Sequence, residues 1–448
     1  MGVPNRPTVC VALPVKDIEA HICETMDSVL AQEGVDLTVR VVDNRSSDDT
    51  VAIAQRYAAA DPRVTVAVNP VDVGYYGSLN RALAETDATY YVPFAADDVM
   101  APGNLARKVA ALEEHGAGLA HSSTRRIDSA GATIDVCPDH RAVPAVVPAP
   151  NYFAQLVPLN AIACQSVMVR TELLRGIGGF DARSHYAADW YTWLRLALRC
   201  TVVTFAEPLV SVRIHTDTGT TRLRSTGINS RDVPSTLEHA FADPALPAAW
   251  APMSAGLVAE CHLVAARDVA ESGVHRIADG WPAYVAAGRA LALVPGDPRM
   301  RAAWTEHVAA AGLRVPRFPL RAVAHAPRDA AGAAQLAATA EALGPLLAGL
   351  TLACDGAELD AAMVLLEPVF GDAALDVAVV PDVADADLLA AGDVTLAPWG
   401  ADLVAASEAA DVPVLPYAIP RPFDNPPDPA MWETVEQAAQ AVGVLQAA

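Results

Sequence analysis

The sequence predicts an α/β protein in three parts: a mainly parallel α/β domain over residues 1–233, a helical region over 234–320 and an acidic α/β domain over 321–448. Three observations carry this reading. Over the first 120 residues, short apolar runs rich in β-branched residues alternate with segments of helical spacing, the pattern of a parallel sheet covered on both faces. From about Pro234 to Val315, Ala, Leu and Val recur at three-to-four spacing with little strand signal. From Arg321 onward the alternation returns with a different charge: 3 basic against 19 acidic residues place −16 of the net −22 in this last part.

In order, Val9–Leu13 is an apolar run closed by Pro14 and predicts the first strand. Ile22, Met26, Val29 and Leu30 give Ile22–Gln32 a helical face. Leu37–Val42 and Val64–Val68 read as strands two and three, separated by a helix over Val51–Ala60. A helix over Leu79–Glu85, a strand over Tyr90–Phe94 and a helix over Leu105–His115 follow. Ala142–Val169 carries no charge, but Pro144, Pro148, Pro150 and Pro158 interrupt it, with Asn151, Gln155, Asn160 and Gln165 inside. It reads as loop, short helix and buried strand rather than a membrane span. Cys261–Pro295 predicts a helical hairpin without repeating copies. In the last part, Leu350–Ala353, Val377–Val380, Val394–Ala397 and Val412–Leu415 read as strands.

The composition narrows the function. An acidic chain with 31 basic residues against 53 acidic ones lacks the cationic surface for a non-specific grip on nucleic acid or anionic lipid. Only Lys16 and Lys108 are lysines; the other basic residues are arginines. Seven scattered cysteines without a C-x-x-C pair, and no apolar signal core over Met1–Thr8, predict reduced thiols and a cytoplasmic location.

Ligands on parallel sheets bind at the carboxyl ends of the strands, so the residues there carry the chemistry. Pro14 and Asp17 follow the first strand. Asp43 ends the second, ahead of Asn44-Arg45-Ser46-Ser47-Asp48-Asp49-Thr50. Ser47 or Asp48 is suited to cap the next helix, which leaves the Asp43 carboxylate for a base N–H or a ribose hydroxyl. Gly74-Tyr75-Tyr76-Gly77-Ser78-Leu79-Asn80 is a flexible helix entry. Asp97-Asp98 follow the fourth strand; adjacent carboxylates there need a cation or hydrogen-bond donors to stay ionised, and hard oxygens suit Mg²⁺ or Mn²⁺. The competing role is a turn in which Asp98 caps the helix beginning near Pro102. Asp189 stands at the start of a helix whose Trp190, Trp193, Leu194 and Ala197 form one face; it fits an N-cap as well as a reacting carboxylate. His215 ends the strand Leu209–Ile214, either as a structural histidine or as a metal or phosphate contact.

Together these segments resemble the family-2 glycosyltransferases with the GT-A fold, over Thr8 to about Arg222. Pro14-Val15-Lys16-Asp17 through Ser28-Val29-Leu30-Ala31-Gln32 is similar to the family opening Pro-x-x-Asn…Ser-x-x-x-Gln, with Asp17 in place of Asn. Val41–Thr50 matches V-V-D-D-G-S-x-D-x-T with Arg45 for Gly, and Phe94–Asp98 resembles the F-L-D-A-D-D metal motif with Ala95 for the first Asp. Gly178–Asp181 with Asp189–Leu196 matches G-G-F-D followed by D-x-x-x-W-L-R-L, and Val212–His215 matches Y-R-x-H.

The resemblance implies a Rossmann-like mixed sheet and an inverting, divalent-metal-dependent transfer of a sugar from a nucleotide diphosphate, UDP first among the candidates, in glycan, polysaccharide or glycoconjugate synthesis. It implies donor contacts at Pro14, Asp17, Asp43, Gly74, Asn80 and Asp97, a metal (Mn²⁺ or Mg²⁺) on Asp98 and His215, Asp189 as general base, and Trp190 and Tyr191 toward the acceptor. That acceptor is a hydroxyl on a glycan, a lipid-linked molecule or a protein. The alternative is a catalytically silent sugar-nucleotide-binding or scaffold protein, which the Asp17 and Ala95 departures favour. A nucleotidyltransferase would show a Gly-rich, Arg-containing loop where Pro14–Asp17 stands. The last part faintly resembles a degenerate nucleotide-binding half of a GT-B glycosyltransferase, without its ribose-binding Glu and without a Gly-rich phosphate loop. Acceptor docking, dimerisation or partner binding is its expected role.

Overall fold

The computed structural model of the chain describes residues 6–137, 145–157, 160–181, 186–214, 228–271, 273, 283–294, 296–314, 320–325, 334, 336, 338–339, 347–354, 376–379, 394–398, 408–410 and 412–418. The described residues fall in two compact units, one within Met1–Arg222 and Ala242–Pro247, the other within Leu223–Phe241 and Ala248–Asn425. The boundary expected between residues 233 and 234 lies inside a helix of the second unit, Ile228–Phe241, which accommodates Pro234.

In the first unit, β1 (Thr8–Val15), β2 (Asp36–Asp43), β3 (Val64–Val68) and β4 (Tyr90–Pro93) pair in parallel in the order β3-β2-β1-β4. Helices α1 (Ile22–Leu30), α2 (Thr50–Ala60) and α3 (Gly74–Ala84) join them. Val9 to Leu13 of β1 are wholly buried on both faces, which is why the run is apolar without alternation. The sheet continues through β5 (Val99–Met100), α4 (Asn104–Glu114), β6 (Leu119–Ile127), β7 (Thr133–Cys137) and β8 (Ala145–Val147). Then come α5 (Asn151–Leu156), a 3₁₀ turn at Cys164–Ser166, β9 (Met168–Arg170), α6 (Thr171–Gly176), α7 (Ala188–Ala197) and β10 (Val202–Arg213). β9 runs antiparallel to both β4 and β6, so the sheet is mixed. The strand order reverses between β1 and β4, and in such sheets ligands bind beside the carboxyl ends of the strands at this point.

The uncharged stretch after residue 144 forms loop, short helix, 3₁₀ turn and a strand buried against the core, as its prolines and amides predict. Trp193, Leu194, Leu196 and Ala197 of α7 are wholly buried. At about 1.5–3 kcal/mol for each large apolar side chain, that burial fixes the helix that starts at Asp189.

The second unit holds α8 (Ile228–Phe241), α9 (Ala251–Glu271), α10 (Ala283–Leu293) and α11 (Pro298–Ala310). Glu238 of α8 ties the first three together: Arg289 Nε and Nη2 donate to its carboxylate at 2.9 and 3.0 Å, and His262 Nε2 lies 2.7 Å away. Asp297 caps α11 by accepting from Arg299 N at 2.9 Å, with Pro298 in the first turn. The unit also contains a five-stranded all-parallel sheet of β11 (Leu320–His325), β12 (Leu347–Cys354), β13 (Asp376–Val379), β14 (Val394–Pro398) and β15 (Val414–Ala418), in the order β13-β12-β11-β14-β15. Among the described residues no helix is long and apolar enough to cross a membrane.

Candidate functional site

The loops after β1, β2 and β3 interlock. Pro14 is buried in β1 opposite Val42 of β2. Asp17 Oδ1 accepts from Ser47 N (2.6 Å) and Ser47 Oγ (3.0 Å), and Asp17 N donates to Ser46 Oγ (3.0 Å). Asp43 is 1% exposed; its carboxylate accepts from Arg45 N at 3.0 Å and Ser46 N at 3.2 Å. Two backbone donors leave further acceptor positions on that carboxylate for a ligand. Asp48 Oδ1 takes Thr50 N, the first residue of α2, at 3.0 Å, although the N-cap position is Asp49. Asn44 joins the third loop through Asp72, Asn69 and Val73 N, and Lys16 pairs with Asp72.

Asp17 and Arg45, which stand where the resembling family has Asn and Gly, adopt φ of +49° and +67°, the only positive values outside glycine among the described residues. Asn and Gly are the residues that enter this left-handed region most readily. The chain keeps the backbone path while changing both side chains, and Arg45 Nη1 is held by Pro70 O at 2.9 Å.

The turn after β4 is fixed from two sides. Thr25 Oγ1 of α1 lies 2.8 Å from the carbonyls of both Ala96 and Asp98. Arg213, at the end of β10 and 2% exposed, donates from Nε to Asp97 O at 2.8 Å and from Nη1 to Asp128 O at 2.9 Å, while Nη2 reaches Glu24 at 2.6 Å. Asp98 is 1% exposed and does not cap the following helix, whose N-cap is Gly103. Its Oδ1 accepts from Arg213 N at 2.8 Å; Oδ2 is buried without a partner at hydrogen-bond distance, although Gln165 faces it. Burial first and the Asp97 charge second hold the Asp98 carboxyl well above the usual range. A buried carboxylate oxygen with no donor, beside a second carboxylate, fits a divalent cation. His215, the other expected ligand, lies outside the described residues, and among those described no group of three ligating side chains forms.

The third element of the site is aromatic. α3 begins at Gly74 (φ +71°), five residues before the predicted start, and carries Tyr75 and Tyr76 on its first turn. Tyr76 stacks on Phe180 (centroids 5.7 Å, 27°), which meets Trp193 edge-on at 5.7 Å. Asn80 clamps Phe180: Nδ2 donates to Phe180 O (2.6 Å) and Phe180 N to Asn80 Oδ1 (2.9 Å). Gly179 has φ +75°, and a Cβ there would lie 2.5 Å from Asn80 Oδ1, so the motif requires glycine. Arg195 Nη1 holds Ile177 O at 2.6 Å from the other side.

Asp189 opens α7 next to this stack. It is not the N-cap, which is Ala187; its Oδ1 accepts from Trp190 N at 2.7 Å within the first turn and from Asn160 Nδ2 at 3.3 Å. Tyr76 adds a further contact. Burial raises the Asp189 carboxyl to about 6 against these hydrogen bonds. Trp190 is 4% exposed and gives its indole N–H to Leu156 O at 3.0 Å, so it belongs to the core; Tyr191 is partly exposed beneath the Arg195 guanidinium. Cys164, 8% exposed, lies within electrostatic reach of both Asp189 and Asp98 and beside the Tyr75 hydroxyl. The 3₁₀ turn Cys164–Ser166 therefore lies near both carboxylates. Tyr75, Tyr76, Asn160, Cys164 and Gln165 were not assigned to the site by sequence; the amides inside the uncharged stretch argued only against a membrane span.

The model of glycosyl transferase family 2 matches residues 10–156. An uncharacterized protein of Mycobacterium tuberculosis is 30% identical over 255 residues, 54% of this chain and 79% of that one. The putative glycosyltransferase EpsE of Bacillus subtilis is 27% identical over 200 residues, 43% of this chain and 67% of that one. The chain belongs to glycosyl transferase family 2. Residues 1–349 of TarS from S. aureus, solved with UDP-GlcNAc, superpose with a TM-score of 0.51 at 16% identity, covering 67% of this chain and 84% of that one, a likeness of fold. The transferase thus has a GT-A-type α/β fold, and its family chemistry is glycosyl transfer.

Proposed function

We propose that the transferase moves a sugar from a nucleotide diphosphate, UDP first, to a hydroxyl acceptor in one inverting displacement, in the synthesis of a glycan or glycoconjugate. The observation that carries this reading is the presence of two unlike carboxylates that both act on Cys164. Asp98 is buried with an unpaired oxygen, and Asp189 is raised to about 6 at a helix start. Two titratable groups driven to different roles by their surroundings are the mark of an acid–base or metal-assisted site.

Asp98, with Asp97 alongside, would hold Mn²⁺ or Mg²⁺, with His215 proposed as a further ligand. The cation supplies charge neutralisation for the departing diphosphate. Asp43 and Asp17, on the interlocked loops, bind base and ribose of the donor, with Pro14 and Gly74 shaping the loop backbone. Asn80 positions the Phe180 loop rather than spending its hydrogen bonds on ligand. Asp189 takes the proton of the acceptor hydroxyl as that oxygen bonds to the anomeric carbon, and the electron pair of the breaking C–O bond leaves with the diphosphate. At neutral pH a carboxyl near 6 is mostly ionised, yet far more basic than a solvated aspartate. Tyr191 is the acceptor-side residue with surface to offer, and Trp190 fixes the helix beneath it. UDP as the nucleotide draws support from the TarS complex.

The parallel sheet of the second unit is proposed as a degenerate nucleotide-binding half serving dimerisation, partner or acceptor docking, consistent with its acidic sequence. A nucleotide-release screen over UDP-, dTDP- and GDP-sugars, with and without Mn²⁺, tests the central reading. Release from a UDP-sugar that requires the metal is expected. No release from any donor, with nucleotide-sugar binding retained, would favour the silent binding protein.

A further inference from the structure

We propose that Lys108, buried beneath the sheet and outside the crevice, is a positioning residue that sets the Cys164–Ser166 turn, and with it Gln165, against the Asp98 carboxylate. This rests on the donor-site reading above. α4 buries Leu105, Val109 and Leu112 against the core, and Lys108 occupies a position on the same buried face, 1% exposed. An apolar residue would satisfy the helix there. Instead the ammonium donates to Ser166 O at 2.6 Å.

The acceptor is the last residue of the turn. Ser166 N and Oγ both bond Ala163 O, at 2.8 and 2.7 Å, and Val167 N bonds Cys164 O at 3.2 Å, so the turn is a compact unit that moves as one. Gln165 faces Asp98, and Cys164 lies within electrostatic reach of Asp98 and Asp189. Lys108 therefore holds the back of a turn whose Gln165 side chain is directed at the Asp98 carboxylate.

The surroundings offer the cation no carboxylate among the described residues. Arg107 lies on its own helix. From β6 it is faced by His121, whose Nε2 lies 2.5 Å from the Tyr152 hydroxyl of α5. Burial, with Arg107 second, lowers Lys108 to about 7, and burial lowers His121 to about 3. A buried cation that meets only a carbonyl and a neutral ring is unfavourable for stability, which points to a role elsewhere. The choice of residue agrees: in a chain with 31 basic residues only two are lysines. A compact ammonium reaches a single carbonyl where the wider guanidinium fork is a poor fit.

The test is a double-mutant cycle on the full chain with Lys108→Met, Gln165→Ala and the pair, plus Lys108→Gln, whose amide still offers a donor. The readouts are UDP affinity in the presence of Mn²⁺, and kcat/KM for the donor selected by the screen, on protein whose fold is checked by circular dichroism. Lys108→Met and Gln165→Ala are each expected to weaken UDP·Mn²⁺ binding and donor kcat/KM about tenfold, with acceptor KM unchanged. The pair should lose little more than either alone, because both act through one turn. Lys108→Gln should recover at least threefold of the loss, and it carries the test if the Met variant does not fold. Binding and kcat/KM within twofold of the parent in a folded Lys108 variant, or additive losses in the pair, would overturn the proposal. Asp98→Asn separates the two levels. If it leaves UDP·Mn²⁺ binding unchanged, the donor-site reading fails; if it abolishes binding while Lys108→Met does not, only the role of Lys108 fails.

Discussion

Asp98→Asn is expected to weaken metal-dependent nucleotide binding by about 100-fold or more, roughly 2.7 kcal/mol, while leaving the fold intact. The amide keeps the size of the side chain, and its carbonyl still accepts from Arg213 N, the 2.8 Å hydrogen bond of the Asp98 Oδ1. What disappears is the negative charge at Oδ2, the oxygen with no partner at hydrogen-bond distance among the described residues. The stability effect runs the other way. Because the folded-state pKa of Asp98 is raised above its unfolded value, the folded chain holds its proton longer. Stability from this group is full below the unfolded value and is lost as pH rises toward the folded one. At neutral pH, without a cation, the carboxyl is a burden that the amide relieves. The melting temperature of the parent should therefore rise on addition of Mn²⁺ with UDP, and that of the variant should start no lower and stay flat. A variant that keeps the parental Mn²⁺ response would remove Asp98 as a ligand.

Asp189→Asn should lower kcat about 10³-fold, within the 10²–10⁴-fold range of a positioned general base, with donor affinity kept. The amide preserves the contact with Trp190 N, so the helix start survives. The pH dependence carries the sign of the mechanism. Asp189 works ionised, and burial raises its carboxyl to about 6. Activity of the parent should climb through about pH 6, falling roughly tenfold per pH unit below it, and the residual activity of the variant should lack that limb. Steady-state rates from pH 4.5 to 8.5 at saturating donor check both. A variant retaining the parental rate would leave the base unassigned.

Much of this candidate site was legible in the sequence because the proposed working carboxylates stand at the ends of strongly apolar elements. Val9–Leu13 and Tyr90–Pro93 are buried on both faces, and such runs announce their own ends. Asp17, Asp43 and Asp98 then follow by position, and Asp189 by the apolar face of its helix. What stayed hidden depends on partners far along the chain. The helix entry at Gly74 lacks apolar spacing, and Tyr76 is placed by its stack on Phe180, more than 100 residues away. Asn80 looks like a ligand contact from its motif, yet both of its polar atoms are spent on Phe180, 100 residues away. Trp190 sits beside the proposed base in sequence but inside the core in space. Gln165 and Cys164 lie in a stretch whose lack of charge suggested burial only, and the 3₁₀ turn that brings them near two carboxylates has no local signature. Arg45 and Asp17 read as departures from the family pattern; the backbone at both retains the left-handed conformation that glycine and asparagine favour.

The account stands on a single displacement assisted by Asp189, and the anomeric configuration of the first-formed product tests it most directly. With the donor found by the release screen, ¹H NMR of the transfer product at early times should show the configuration opposite to that of the donor. A product that retains the donor configuration would require two displacements or a different face of attack, and would contradict Asp189 as the base of a one-step transfer.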